Sequence, residues 1–183
     1  MPVPRAQQII DRAAEERVRL FEFIRGVSEV QWPRMSPEGI WQARDYVAHL
    51  ASIDPLLTAW FRAIQSPGSS GGPEGANRID DWNEDQILAR RETSIEALLD
   101  EMTRSRVALN AALADFTDEQ LDRVIRFAGD AKRAPRDIPL HLFLSAWAFH
   151  DRWHMEDARR AIAGEAEQPF GDEAFANARR REP

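Results

Sequence analysis

The chain has 183 residues, 43% of them hydrophobic, with a formal net charge of −7 and no cysteine. That length suits one domain around a single buried core. The acidic balance argues against nucleic acid or an anionic membrane as partner, and the lack of cysteine removes disulfides, thiolate ligands and a cysteine nucleophile. No run approaches a membrane span and the start, Met1-Pro-Val-Pro-Arg5, has no apolar signal region, so a cytoplasmic protein is expected.

A first helix is predicted from about Arg5 to Ser28, with Ile9, Ala13, Leu20, Ile24 and Val27 on its stripe and Arg12, Glu15, Glu16, Arg19 and Glu22 largely off it. Pro33, Pro37 and Gly39 end it. A second helix runs from about Trp41 to Ile64. His49 lies in the middle of its mostly apolar face, among Tyr46, Ile53, Leu57 and Trp60, and Pro55 is expected to kink it. The Gly- and Ser-rich stretch from Gln65 to Asn77 reads as a mobile surface loop.

A short helix is expected over Trp82–Arg91. Thr93-Ser-Ile-Glu96 matches a capping box that opens a longer helix to about Asp115, its buried side including Ile95, Leu98, Met102, Val107, Leu109 and Leu113. Thr117-Asp-Glu-Gln120 matches a second box. Phe127 to Arg136 reads as a basic loop, and no alternation is long enough to build a sheet. Asp137 can cap a last long helix that tolerates Pro139 in its first turn and ends at Gly164. That helix is apolar nearly all round, which places it at the centre of an all-α, up-and-down four-helix bundle spanning residues 1–164. Residues 165–183 form a polar tail, with Phe170 and Phe175 as its anchors.

The chemistry concentrates in His150-Asp-Arg-Trp-His154. Four residues apart on a helix, two side chains stand one turn apart and about 40° round, so both imidazoles reach one point. His49 from the facing helix makes a third ligand. Three imidazoles with open positions suit Zn²⁺, Ni²⁺, Fe²⁺ or Mn²⁺, and the open corner takes water or a substrate atom. Asp45, one turn before His49, and Asp157, three after His154, are candidates to orient the imidazoles. The plain alternatives are a helix-start acid for Asp45 and a solvent pair with Arg160 for Asp157. His141, nine residues before His150, falls on the other side of its helix and is expected not to ligate.

Other chemistries lack their residues. Paired Glu-x-x-His motifs for a di-iron site, His-Glu-x-x-His, a phosphate loop and a nucleophile elbow are all missing from the sequence. The arginine clusters at 90–91, 159–160 and 179–181 are interleaved with acids and read as solvated faces.

The run Trp41-Gln-Ala-Arg-Asp45-Tyr-Val-Ala-His49-Leu, then Asp81-Trp-Asn83-Glu, then His150-x-x-x-His154, resembles the DinB/YfiT-like superfamily over roughly Ala6 to Ile162. That superfamily includes the metal-binding domain of mycothiol-dependent maleylpyruvate isomerase and the DfsB/ClbS proteins. The resemblance implies a four-helix bundle with a metal, often zinc or nickel, on His49, His150 and His154, and often a homodimer. It also implies transfer or isomerisation chemistry on a small molecule with a low-molecular-weight thiol such as mycothiol or bacillithiol. Tyr46, Asn83 and Trp153, in or beside these motifs, are the candidate pocket residues. Maleylpyruvate isomerase-type members carry Glu where His150 stands, so that reaction is not carried over. The open corner would equally serve a hydrolase, and the non-catalytic alternative is small-molecule sequestration of the DfsB/ClbS kind.

Overall fold

A computed structural model describes residues 1–37, 39–66, 79–127 and 135–166. Most of the Gln65–Asn77 stretch, most of the Phe127–Arg136 stretch and the tail beyond Ala166, with Phe170 and Phe175, lie outside these residues.

Helix α1, Pro4–Gly26, opens with proline where the missing N–H costs nothing and buries Ile9, Ala13, Leu20 and Ile24. It also buries Glu16 and Arg17, so Glu16 is not on the outer face as expected. Helix α2, Ala43–Gln65, starts where the Asp45 carboxylate accepts the Gln42 N–H at 2.8 Å, and it runs through Pro55 without a break. After α3, Ile79–Ala89, comes α4, Ile95–Ala114. Its cap is Ser94 rather than Thr93: the Ser94 hydroxyl accepts the Ala97 N–H at 3.2 Å. Val107 is 70% exposed and does not belong to the buried side of α4.

Helix α5, Asp118–Leu121, follows Thr117 with both arms of the expected capping box made. A small hairpin then appears that the sequence pattern concealed. Strands β1, Val124–Phe127, and β2, Arg136–Pro139, pair antiparallel with Ile125 opposite Ile138 and Arg126 opposite Asp137. Asp137 therefore bonds Arg126 across the ladder at 3.0 Å instead of capping a helix. The long last helix is in two pieces, α6, Leu140–Trp147, and α7, His150–Ala163, separated by Ala148 and Phe149. Gly164 at φ 72° closes α7, a backbone shape that favours glycine.

The bundle expected from the stripes is present, and side-chain meetings give its directions. Arg17 reaches Met102 while Arg106 reaches Ala13, so α1 and α4 are antiparallel. Arg44 reaches Thr93 and Gln65 reaches Ala112, so α2 and α4 run parallel. Arg12 lies over Phe149, Glu16 pairs with Arg152, and Arg159 lies over Phe23, so α1 and α7 run parallel as well. The order is up, down, down, up. Alternation fails at the α2–α4 connection, which is long enough to carry α3 and return the chain to its starting end. The most deeply buried helix is α2, with fifteen of its 23 residues buried, and not the last one. Among the described residues no helix is long and apolar enough to cross a membrane.

The core is divided. One apolar cluster gathers Ile9, Ala13, Ile53, Phe61, Leu109, Phe116 and Ala148, and a second gathers Leu20, Ala51, Leu98, Met102 and Met155. Where they meet, each bundle helix contributes a charge: buried Arg17 on α1, Asp54 on α2 and Asp151 on α7, and part-buried Arg106 on α4.

Candidate metal centre

His49 projects from the second turn of α2, and His150 and His154 from the first two turns of α7. Because α2 faces α7, the spacing that aligns the α7 pair brings His49 opposite both. One nitrogen from each ring lies within 4.8 Å of the other two. Nε2 of His150 and Nε2 of His154 are 3.1 Å apart. Ring centroids are separated by 4.5 Å for His150–His154, 4.7 Å for His49–His154 and 5.3 Å for His49–His150.

Two nitrogens held tetrahedrally at about 2.0–2.1 Å from one ion sit about 3.4 Å apart. The α7 pair, 3.1 Å apart, is close to that separation, and the third nitrogen lies within 4.8 Å of both. Nδ1 of His49 and Nδ1 of His150 are buried without a hydrogen-bond partner among the described residues. Such atoms carry a cost of about 1–3 kcal/mol each unless something at the site satisfies the rings. The protonation state fits as well. Burial, then the proximity of His154, pushes His49 well below the usual histidine range, against a smaller opposing effect of the Asn83 side chain. Burial, then His154, His49, Arg106 and Arg17, pushes His150 down likewise. Both imidazoles are therefore neutral at pH 7, the form that binds a metal. The residues fit a divalent transition metal.

Asp157 Oδ2 lies 3.5 Å from His154 Nδ1, placed to fix which nitrogen of that ring faces the cluster. Asp45 is engaged by the backbone at the start of α2. Asn83 reaches His49 from α3. Tyr46, 3% exposed, stacks beside His154 at 5.9 Å, and Trp153 stands edge-on to His150 at 6.5 Å. His141 is elsewhere, its Nδ1 3.2 Å from the Leu121 carbonyl.

Two sets of residues at the site escaped the sequence reading. Trp41, part of the motif quoted above but not singled out, lies 5.3 Å from His49 and 6.3 Å from His154, and it completes an aromatic wall with Tyr46. Behind the histidines, the Arg17 guanidinium bonds Asp151 at 2.6 and 3.0 Å and Asp54 at 3.3 Å. Arg106 bonds Asp54 at 2.8 and 3.1 Å and Asp151 at 3.4 Å. Burial alone would raise the Asp151 pKa, but the two guanidiniums prevail and hold it below the usual carboxylate range. The adjacency of Asp151 to His150 was the one available signal for this group.

Neither the curated proteins nor the solved structures contain a significant match to this chain. A family model does match, over residues 12–158, from within α1 through most of α7 and including all three histidines: the chain belongs to the DinB superfamily.

Proposed function

We propose that His49, His150 and His154 hold one divalent transition metal, zinc or nickel, and that the protein acts there on a small electrophilic molecule. The co-reactant is a low-molecular-weight thiol, mycothiol or bacillithiol, or else water, which makes the protein a thiol-dependent S-transferase or isomerase, or a hydrolase. The observation that supports this most is the convergence of three nitrogens within 4.8 Å, two of them on imidazoles driven to the neutral form. When bound, such an ion supplies Lewis acidity and open positions at which a thiol or water loses its proton more readily.

The chain's own groups do the remainder. His49 and His150 present neutral lone pairs. Asp157 orients His154, and Asn83 steadies His49. Trp41, Tyr46 and Trp153 line the approach with apolar surface, which excludes water and suits an uncharged substrate. A cytoplasmic location and a homodimeric state belong to the same proposal, motivated by the acidic composition and the family resemblance.

The test is elemental analysis of tag-free protein reloaded with Zn²⁺ or Ni²⁺ and desalted. About one ion per chain is expected, lost in His154→Ala and His49→Ala and kept in His141→Ala. Turnover of a bromoalkane by the loaded protein with added thiol then separates transfer from hydrolysis. If wild type carries no more metal than His154→Ala, the histidines are a packed trio, and sequestration without catalysis takes over.

A further inference from the structure

The second ligand helix begins at a ligand. α7 starts at His150, after Phe149 (φ −96°, ψ 5°) has left the helical path of α6. Continuity with α6 therefore does not set the height or rotation of His150 and His154 against His49. Something else must anchor the first turn of α7, and the next two residues do so. Asp151 is gripped by Arg17 in a two-point ion pair at 2.6 and 3.0 Å. Arg152 grips Glu16, through Nε at 3.0 Å and through a second, shorter contact from Nη2.

The polarity of these pairs matters. Consecutive residues on α1, acid then base, face consecutive residues on α7, acid then base, in crossed order: Glu16 takes Arg152 and Arg17 takes Asp151. Sliding α7 by one residue in one direction sets Arg152 against Arg17. Sliding it the other way sets Asp151 against Glu16. Both slips place like charges together where Glu16 is fully buried and Arg17 and Asp151 nearly so. One residue of slip is ~1.5 Å of travel and ~100° of rotation, enough to turn His150 and His154 away from His49. Arg106 adds a hold from α4 by bridging Asp151 to Asp54, five residues beyond His49 on α2.

We propose that Glu16 and Arg17 are positioning residues for the metal centre: their crossed ion pairs set the register of α7 that brings His150 and His154 onto His49. This rests on the metal reading above, and its test is arranged so that the two can fail separately.

The variants are Glu16→Arg, Arg152→Glu and the double swap, with Co²⁺ as probe. Each single variant should bind Co²⁺ at least ~10-fold more weakly and with an altered visible band. The double swap restores two ion pairs in the native register where either slip keeps only one, and half-exposed Arg19 can turn away from the new arginine, so affinity should recover to within ~3-fold, together with the band. Thermal midpoints are recorded alongside. Single variants that lose heat stability yet keep wild-type Co²⁺ affinity and band would overturn the proposal, because the pairs would then only stabilise the fold. Should the reversals not fold, Glu16→Gln and Arg17→Lys replace them, read the same way. If wild type binds no Co²⁺, the metal reading falls, and imidazole ¹H–¹⁵N spectra decide the register claim. Displaced His150 and His154 signals in the single variants, restored in the double, uphold it, and unchanged signals overturn it.

Discussion

Acid should unfold the metal-free protein by way of its histidines. In the fold, His49 and His150 are both held well below the ordinary histidine pKa, chiefly by burial. In the unfolded chain each returns to ~6.5. As pH falls below that value the unfolded chain takes up protons that the folded chain refuses, so stability is highest above ~6.5 and declines with acid. Each fully refused proton costs ~1.4 kcal/mol per pH unit. Integrated from pH 7.5 to 5.5, that is ~1.4 kcal/mol per imidazole and ~3 kcal/mol for the two. In a chain of this size 1 kcal/mol moves the thermal midpoint by roughly 2–4 °C, so a fall of roughly 5–10 °C is expected. The assay is thermal denaturation of chelator-treated protein across that interval, with a His49→Gln/His150→Gln variant to subtract every other titrating group. A wild-type midpoint that is flat from pH 7.5 to 5.5, or a slope unchanged in the double variant, would refute the claim that these rings are buried neutral.

Three further outcomes are expected. Asp54→Ala leaves Arg17 and Arg106 sharing Asp151 inside the bundle and should cost ~3–5 kcal/mol in urea denaturation, while a loss below ~1 kcal/mol would mean the ions are solvated in solution. Ser94→Ala should cost ~1 kcal/mol by the same method as the cap of α4, and Thr93→Ala at most ~0.5 kcal/mol, with the reverse order restoring Thr93 as the cap. Light scattering should give a dimer, and a monomer at high micromolar concentration would remove that proposal.

The histidine triad was legible because its signal is local. An i, i+4 pair declares a shared face, and a polar ring in the apolar stripe of α2 declares a core position. The helices were legible for the same reason. What the pattern hid depends on distant partners. Glu16 and Arg17 sit between Glu15 and exposed Val18 and look like more of the same surface until Arg152 and Asp151, more than 130 residues on, close over them. The β1–β2 ladder is four residues a side, too short for its alternation to register, and Asp137 looked like a cap because its cross-strand partner Arg126 lay ahead of a stretch that read as a loop. The break at Ala148–Phe149 falls in an apolar run whose helical period continues across it, so composition carried no mark of it. The Ser94 cap was displaced by one residue because Thr93 and Ser94 are both good caps, and the choice rests on where the chain enters the helix.

The buried polar residues of this bundle divide into two kinds, and the division separates structure from chemistry. In the layer between the two apolar clusters every guanidinium faces a carboxylate: Arg17 and Arg106 against Asp54 and Asp151, two charges of each sign with bonds at 2.6–3.4 Å. A closed layer of that kind has nothing left to offer a ligand, and removing one member leaves a buried charge uncompensated. The histidines just beyond it are the opposite case. His49 and His150 are neutral and close to His154, and their Nδ1 atoms lack hydrogen-bond partners among the described residues. What points to a ligand there is the convergence of one nitrogen from each ring within 4.8 Å of the others. The satisfied layer holds the four helices in place, so the histidines can be kept convergent, with His49 and His150 in the neutral form that costs the fold stability in acid.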